Sequence, residues 1–205
     1  MESSDVRSQW AERTGEYSPR YYAYYGPDEL SDAIVSVLQT HLPPSISALE
    51  VGCSSGRHLA RLYREGYRDI TGIEINAEAL DVMEEQYPET AAVGTYYEDA
   101  VESVVETLDD REFDVVFSVQ TLQHLHSDSE WVFDELRRIA EKLIVTVEIE
   151  GADRRDGAET LTREIDGLPM THRNWRHVFE RGDFSQVHSE DIGTSTLRAF
   201  RRADA

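Results

Sequence analysis

Glu50, Glu74, Asp99 and His124 each stand at or just beyond the end of a short apolar run, and the first opens the stretch Glu50-Val-Gly52-Cys53-Ser54-Ser55-Gly56. Carboxylates in such places accept hydrogen bonds from a polar ligand, and a histidine can exchange a proton with one. Glu74 closes the run Ile70-Thr-Gly-Ile-Glu74-Ile75, 18 residues past Gly56. An acid at the tip of the second strand of a βαβ unit is placed to bind a ribose diol, and it would repel a 2′-phosphate. NADP is disfavoured on that ground.

Ala48 to Ala60 reads as a strand, a tight glycine turn and the start of a helix. Gly52 and Gly56 let the backbone turn sharply and let a ligand approach without meeting a Cβ. The helix that begins near Arg57 points unpaired N–H groups into the turn. Several nucleotide-like ligands suit such a cradle. Cys53, the one cysteine, reads as a small loop residue, and a single cysteine allows neither an intrachain disulfide nor a cysteine metal cluster. No metal site is expected.

The pattern acid, apolar, Gly, x, small, x, Gly resembles the glycine motif of the class I S-adenosylmethionine (SAM)-dependent methyltransferases, particularly the small single-domain enzymes that act on small molecules. Ser54 stands where the family has its middle glycine, and Glu50 stands where the NAD-binding motif opens with glycine. The resemblance covers roughly residues 45 to 150, with a looser echo beyond. It implies SAM as cofactor and S-adenosylhomocysteine (SAH) as product. It also places Glu50 near the methionine end, beside the Gly52-Cys53-Ser54 turn and Gly56, with Glu74 and Ile75 at the nucleoside. In the turn Tyr97-Glu98-Asp99-Ala100 it assigns Asp99, or failing that Glu98, to the adenine amino group. Asp99 could instead cap the helix that follows.

Phe113 to Leu125 is the second informative segment. Its apolar run suits a central parallel strand, and polar residues past such a strand fall where open α/β sheets bind ligands. In the resembling family this strand begins Phe-Asp, as at Phe113-Asp114, and ends in residues that floor the cofactor site and face the substrate. Here these are Ser118, Val119 and Gln120, with Gln123 and His124 one turn on. His124 is the candidate base for a hydroxyl or amine acceptor, although methyl transfer mainly needs alignment. The plainer reading of His124 and His126, which we favour, is a polar loop.

The elements that position these residues follow from periodicity. Trp10 to Pro27 holds five of the ten tyrosines, among them Tyr21, Tyr22 and Tyr25. It is either a packing strap or a lid whose rings meet cofactor and substrate. An amphipathic helix follows over 28–42, with His41 at its end. Helices are expected over 77–87, from 101 to 108 and over 127–141, and strands near 91–96 and over 143–149. Residues 151–167 read as a charged, irregular excursion near the substrate mouth, and 170–182 as a helix. Arg173, near its start, faces solvent or holds an anionic acceptor; we favour solvent. Residues 184–192 and 194–200 alternate as a hairpin about Gly193.

The expected fold is α/β: a Rossmann-like, doubly wound, seven-stranded, mainly parallel sheet with an antiparallel C-terminal hairpin strand and helices on both faces. One domain spans 1–205, divided into an N-terminal helical lid (1–44), a cofactor-binding core (45–150) and a substrate-side remainder (151–205). A net charge of −21, with 19 arginines and the single lysine Lys142, suggests adaptation to a salt-rich cytoplasm, as in halophilic archaea. Such a chain repels nucleic acid. It shows no membrane span or signal peptide, so the expected location is cytoplasmic. Methyl transfer to a small-molecule O, N or S acceptor is the leading function. The alternatives are a SAM-fold binding protein without turnover and an NAD-dependent oxidoreductase. Acceptor identity and oligomeric state are not encoded in any motif.

Overall fold

The computed structural model describes residues 2–150, 161–165 and 167–203. Seven strands form one sheet in the order β3-β2-β1-β4-β5-β9-β8: β1 (Ser47–Val51), β2 (Asp69–Glu74), β3 (Thr95–Glu98), β4 (Phe113–Val119), β5 (Ala140–Glu148), β8 (Phe184–Ile192) and β9 (Ser195–Arg202). The first five pair in parallel, whereas β9 runs antiparallel between β5 and β8. Strand order reverses between β1 and β4, the point at which a crevice opens beyond the strand ends.

Alternate residues of the central strands bury on opposite faces, so both faces must be covered. Ala48, Ile70, Val115 and Phe117 pack with helices α3 (Glu29–His41) and α4 (Arg57–Arg64) and with Met83 of α5 (Glu78–Gln86). Leu49, Val51, Ile73 and Val116 pack with α7 (Val101–Val105), α8 (Val132–Ile139) and α9 (Trp175–Phe179). Each fully buried aliphatic or aromatic side chain contributes about 1.5–3 kcal/mol, so these two layers hold the sheet. Helix α3 begins at Asp28, whose carboxylate accepts the Leu30 and Ser31 N–H groups and an ion pair from Arg57 at 2.7 Å. That cap ties the N-terminal helices to the cradle.

Two short helices, α1 (Ser3–Ala11) and α2 (Pro19–Tyr25), precede this core. Three expectations are corrected. Residues 88–93 form a helix, α6 (Pro88–Val93), so β3 starts only at Thr95. Pro88 at a first helical turn starts a helix as readily as it stops one. The segment after β4 is two 3-10 turns and then α8, which ends at Ile139 because Ala140 already pairs with Phe113. Leu168–His172 is a strand, β7, paired antiparallel with β6 (Leu161–Ile165), and only Trp175–Phe179 is helical. The first part of the expected excursion, 151–160, lies outside the described residues. No helix among those described is long and apolar enough to cross a membrane.

Candidate active site

A crevice opens at the reversal point and is walled by the turns after β1, β2, β3 and β4, with α1 and the start of α2 closing one side. Its floor is built by the cradle. Gly52 and Cys53 donate their N–H groups to the Ile73 carbonyl at 2.8 and 3.0 Å, and Gly56 donates to the Cys53 carbonyl. These donors are spent on the turn itself. The glycines are required for internal reasons as well. Both have φ near +70°, and a methyl at Gly52 would lie 2.8 Å from Thr121 Cβ, while one at Gly56 would lie 2.7 Å from Met83 Cε. Gly56 therefore serves the packing of α4 on α5 and does not line the crevice. Ser54, at φ 48°, occupies the left-handed region without being glycine.

Glu74 is the best-defined polar group of the floor. One carboxylate oxygen accepts Ser54 N–H at 2.8 Å and the other Asn76 N–H at 2.9 Å. Burial raises its pKa, and the Asn76 and Ser54 N–H bonds oppose that rise. A carboxylate has about four lone-pair sites, so two remain for a ligand diol. Ile75, Asp99, Ala100, Val119, Gln120 and Cys53 share the same wall. Asp99 uses one oxygen on the Ala100 N–H at 2.7 Å and leaves its other oxygen for a ligand, whereas the N-cap of α7 is Ala100 with no side-chain cap, so the capping alternative is not met. Gln120 is held at φ 51° by its N–H bond to the Val147 carbonyl and by its amide bond to Ser195 Oγ.

Several expected site residues stand elsewhere. Glu50 points away from the crevice into the layer between β1 and α4, fully buried, and neither oxygen meets a well-formed hydrogen bond among the described residues. Burial, only partly offset by Arg57, pushes its pKa well above the ordinary carboxyl range. Glu98 is exposed on the outer side of β3. Ser118 bonds to Glu148 at 2.8 Å, behind the wall. The Gln123 amide oxygen accepts Ile149 N–H, so the side chain is spent on the β5 end. Tyr22 lines the crevice, its phenol pKa raised by burial to about 12. Tyr21 and Tyr25, one helical step round α2, face a separate outer groove. Arg173 is only 2% exposed. It donates to the carbonyls of Leu122, Thr171 and Leu125 and pairs with Glu130, so it is an internal brace and neither a solvated residue nor a wall of the crevice.

His124 lines the crevice, and burial pulls its imidazole down to about pKa 4, opposed in part by the Gln120 carbonyl. The ring is neutral at pH 7 and lies against Trp10 of α1, with centroids 4.3 Å apart. Four residues were not singled out by sequence reasoning. Trp10 and Thr121 line the crevice, Asn76 ties α1 to it, and Glu148 supports it from behind. Glu148 accepts the Ser118 hydroxyl and the Thr121 and Leu122 N–H groups on one oxygen, holding the turn after β4 in place. Its signal was present in the sequence, since it ends an apolar strand just as Glu50 and Glu74 do.

Fold and site together define a class. Residues 49–142 match the model of a methyltransferase domain family, and the sheet order with its antiparallel last strands is that of the class I SAM-dependent methyltransferases. That stretch of the chain is similar to a methyltransferase domain, and SAM or SAH is bound in solved structures that share the fold. Among curated proteins it is 30% identical over 95 residues to the dTDP-4-amino-2,3,4,6-tetradeoxy-D-glucose N,N-dimethyltransferase of Saccharopolyspora spinosa, a match spanning 42% of this chain and 38% of that protein. Among solved structures it resembles the magnesium protoporphyrin IX methyltransferase of Synechocystis PCC 6803 with bound SAH, at TM-score 0.70 and 14% identity over 98% of this chain and 100% of that one. A SAM-dependent methyltransferase from Mesorhizobium loti aligns at TM-score 0.65 and 16% identity, over 82% of this chain and 96% of its own. The [4+2]-cyclase SpnF aligns at 0.68 and 15%, over 94% and 86%. At these identities the structures speak to fold.

Proposed function

We propose that the chain transfers a methyl group from SAM to a small-molecule O, N or S acceptor and releases SAH. The observation that carries this reading is the convergence of Glu74, Asp99 and the Gly52–Ser54 turn on one crevice at the strand-order reversal. SAM supplies an electrophilic methyl on a sulfonium. Glu74 offers two unspent lone pairs to a ribose diol, Asp99 one carboxylate oxygen to an exocyclic amine, and Val51, Ile73, Ile75 and Val119 an apolar bed for the purine. Helix α1 and Tyr22 cover the crevice in the manner of a lid, which limits water access and raises the value of alignment. The curated relative named above acts on an amino sugar, which keeps amines among the acceptor classes.

Turnover is a separate question from binding, because the likeness to a [4+2]-cyclase puts the same architecture in a protein named for different chemistry. Titration calorimetry at molar salt, followed by an assay for SAH release, tests both. Micromolar binding of SAM and SAH without binding of NAD is expected. NAD binding in their place would defeat the reading, and SAM binding without SAH release from any acceptor would leave the non-catalytic alternative.

A further inference from the structure

Two buried polar atoms in the crevice have no partner among the described residues: the Trp10 indole N–H and His124 Nδ1. Their rings touch, with centroids 4.3 Å apart and planes at 51°, and both face the space under α1. A buried donor or acceptor left unpaired costs about 1–3 kcal/mol, so two in one contact mark a place where a ligand completes the bonding. Trp10 offers only a donor. In its Nε2–H tautomer His124 offers only a lone pair at Nδ1.

Resting on the methyl-transfer reading, we infer that Trp10 and His124 form a clasp for the reacting group of the acceptor and that this group is a hydroxyl. A hydroxyl has one proton and two lone pairs. It accepts from Trp10 with one pair and donates its proton to His124 Nδ1, and the second pair stays free to attack. A neutral amine has a single lone pair, which the indole would occupy. An aliphatic amine arrives as ammonium, which has nothing to accept the indole N–H and no electron pair for carbon. The Arg13 guanidinium, 5.8 Å from the Trp10 ring centroid and 5.6 Å from that of Tyr17, further disfavours a cation there. A carboxylate has no proton for Nδ1.

The balance is simple. The oxygen–carbon bond forms as the carbon–sulfur bond breaks, its electron pair stays on sulfur, and the proton passes from oxygen to Nδ1. A weakly basic imidazole suffices, because a hydroxyl oxygen carrying a new methyl is a far stronger acid than an imidazolium. His124 is then a catalytic residue and Trp10 a specificity residue.

The test uses the full chain with 15N-labelled histidine, saturated with SAH at molar salt, and the isosteric probes benzyl alcohol and benzylamine at millimolar concentration. The His124 ring signals are identified by their loss in His124→Gln. The expected result is an Nε2–H tautomer whose Nδ1 resonance shifts with benzyl alcohol and not with benzylamine. In Trp10→Phe, which keeps the ring contact, the alcohol titration midpoint should rise at least fivefold. An Nδ1–H tautomer, no response to the alcohol, or an equal response to the amine would overturn the clasp. Failure of SAH to bind would instead strike the underlying functional reading.

Discussion

Asn76, two residues beyond the Glu74 carboxylate, donates its side-chain amide to the Trp10 carbonyl at 3.3 Å and the Arg13 carbonyl at 3.0 Å. One buried residue thus joins the tip of β2 to the end of α1, while its own N–H is held by Glu74 and its Oδ1 accepts Glu78 N–H. Closure of α1 over the crevice is therefore tied to the group proposed to meet the cofactor ribose. Asn76→Ala removes three hydrogen bonds of about 1 kcal/mol each, two of them to the carbonyls of Trp10 and Arg13. Hydrogen exchange across 3–11 should accelerate, and SAH should bind about tenfold more weakly. Unchanged exchange in that helix would show that α1 is held by its apolar contacts alone.

Glu74→Gln separates charge from shape. Glutamine keeps one acceptor but presents an amide N–H to either Ser54 or Asn76, so one backbone donor loses its partner. SAH affinity measured by calorimetry should fall at least about tenfold and the melting temperature should drop by several degrees. Affinity equal to that of the unaltered chain would remove Glu74 from the cofactor site.

The mainly parallel sheet and its antiparallel C-terminal hairpin were legible because apolar runs, glycine turns and helix lengths are local signals. The direction in which a strand-end acid points was not. Glu50 and Glu74 look alike in sequence, but Glu50 lies two residues before Gly52, where strand alternation sends its side chain into the α4 layer. Glu74 ends its strand at the crevice. Arg173 was misplaced for a related reason: its wall of backbone carbonyls comes from the turn after β4, some 50 residues away, and no local pattern announces it.

Gly52 faces the protein and not only the ligand. An alanine there must hold φ near +70°, at a cost of about 1–2 kcal/mol, and must also displace Thr121. Denaturant unfolding of Gly52→Ala should show a loss of at least about 2 kcal/mol. Adding Thr121→Ala should restore only part of it, since Thr121 Cβ itself lies 2.8 Å from the new methyl. Full restoration would show that backbone strain contributes little.

Net charge of −21 makes self-repulsion a term in stability. The Debye length falls from about 10 Å at 0.1 M to about 3 Å at 1 M salt, which screens that repulsion while leaving buried pairs such as Arg198–Glu150 largely intact. The melting temperature should climb steadily with KCl across this range and should climb with NaCl to a similar extent. A flat or falling profile would discard the proposal that the surface is built for a salt-rich interior.

Glu148 carries the clearest pH signature. Burial raises its carboxyl from an ordinary 4.5 to about 7, against the opposing bonds from Ser118, Leu122 and Thr121. A carboxyl held above its unfolded pKa binds its proton more tightly in the folded chain. Its contribution is complete below about pH 4.5 and is lost as pH rises through 7, a swing on the order of 3 kcal/mol. Glu50 and Glu74 shift in the same direction. The lowered His58, His124 and His172 act oppositely, costing stability as pH falls below 6.5. The whole-chain profile is therefore a compromise, and Glu148→Gln isolates one term. That variant keeps an acceptor for the Thr121 and Leu122 N–H groups and never ionises. It should gain stability over the unaltered chain between pH 5 and pH 8, read as a growing difference in unfolding midpoint. A difference that stays constant across those pH values would mean that Glu148 is ionised throughout and that its three hydrogen bonds outweigh burial.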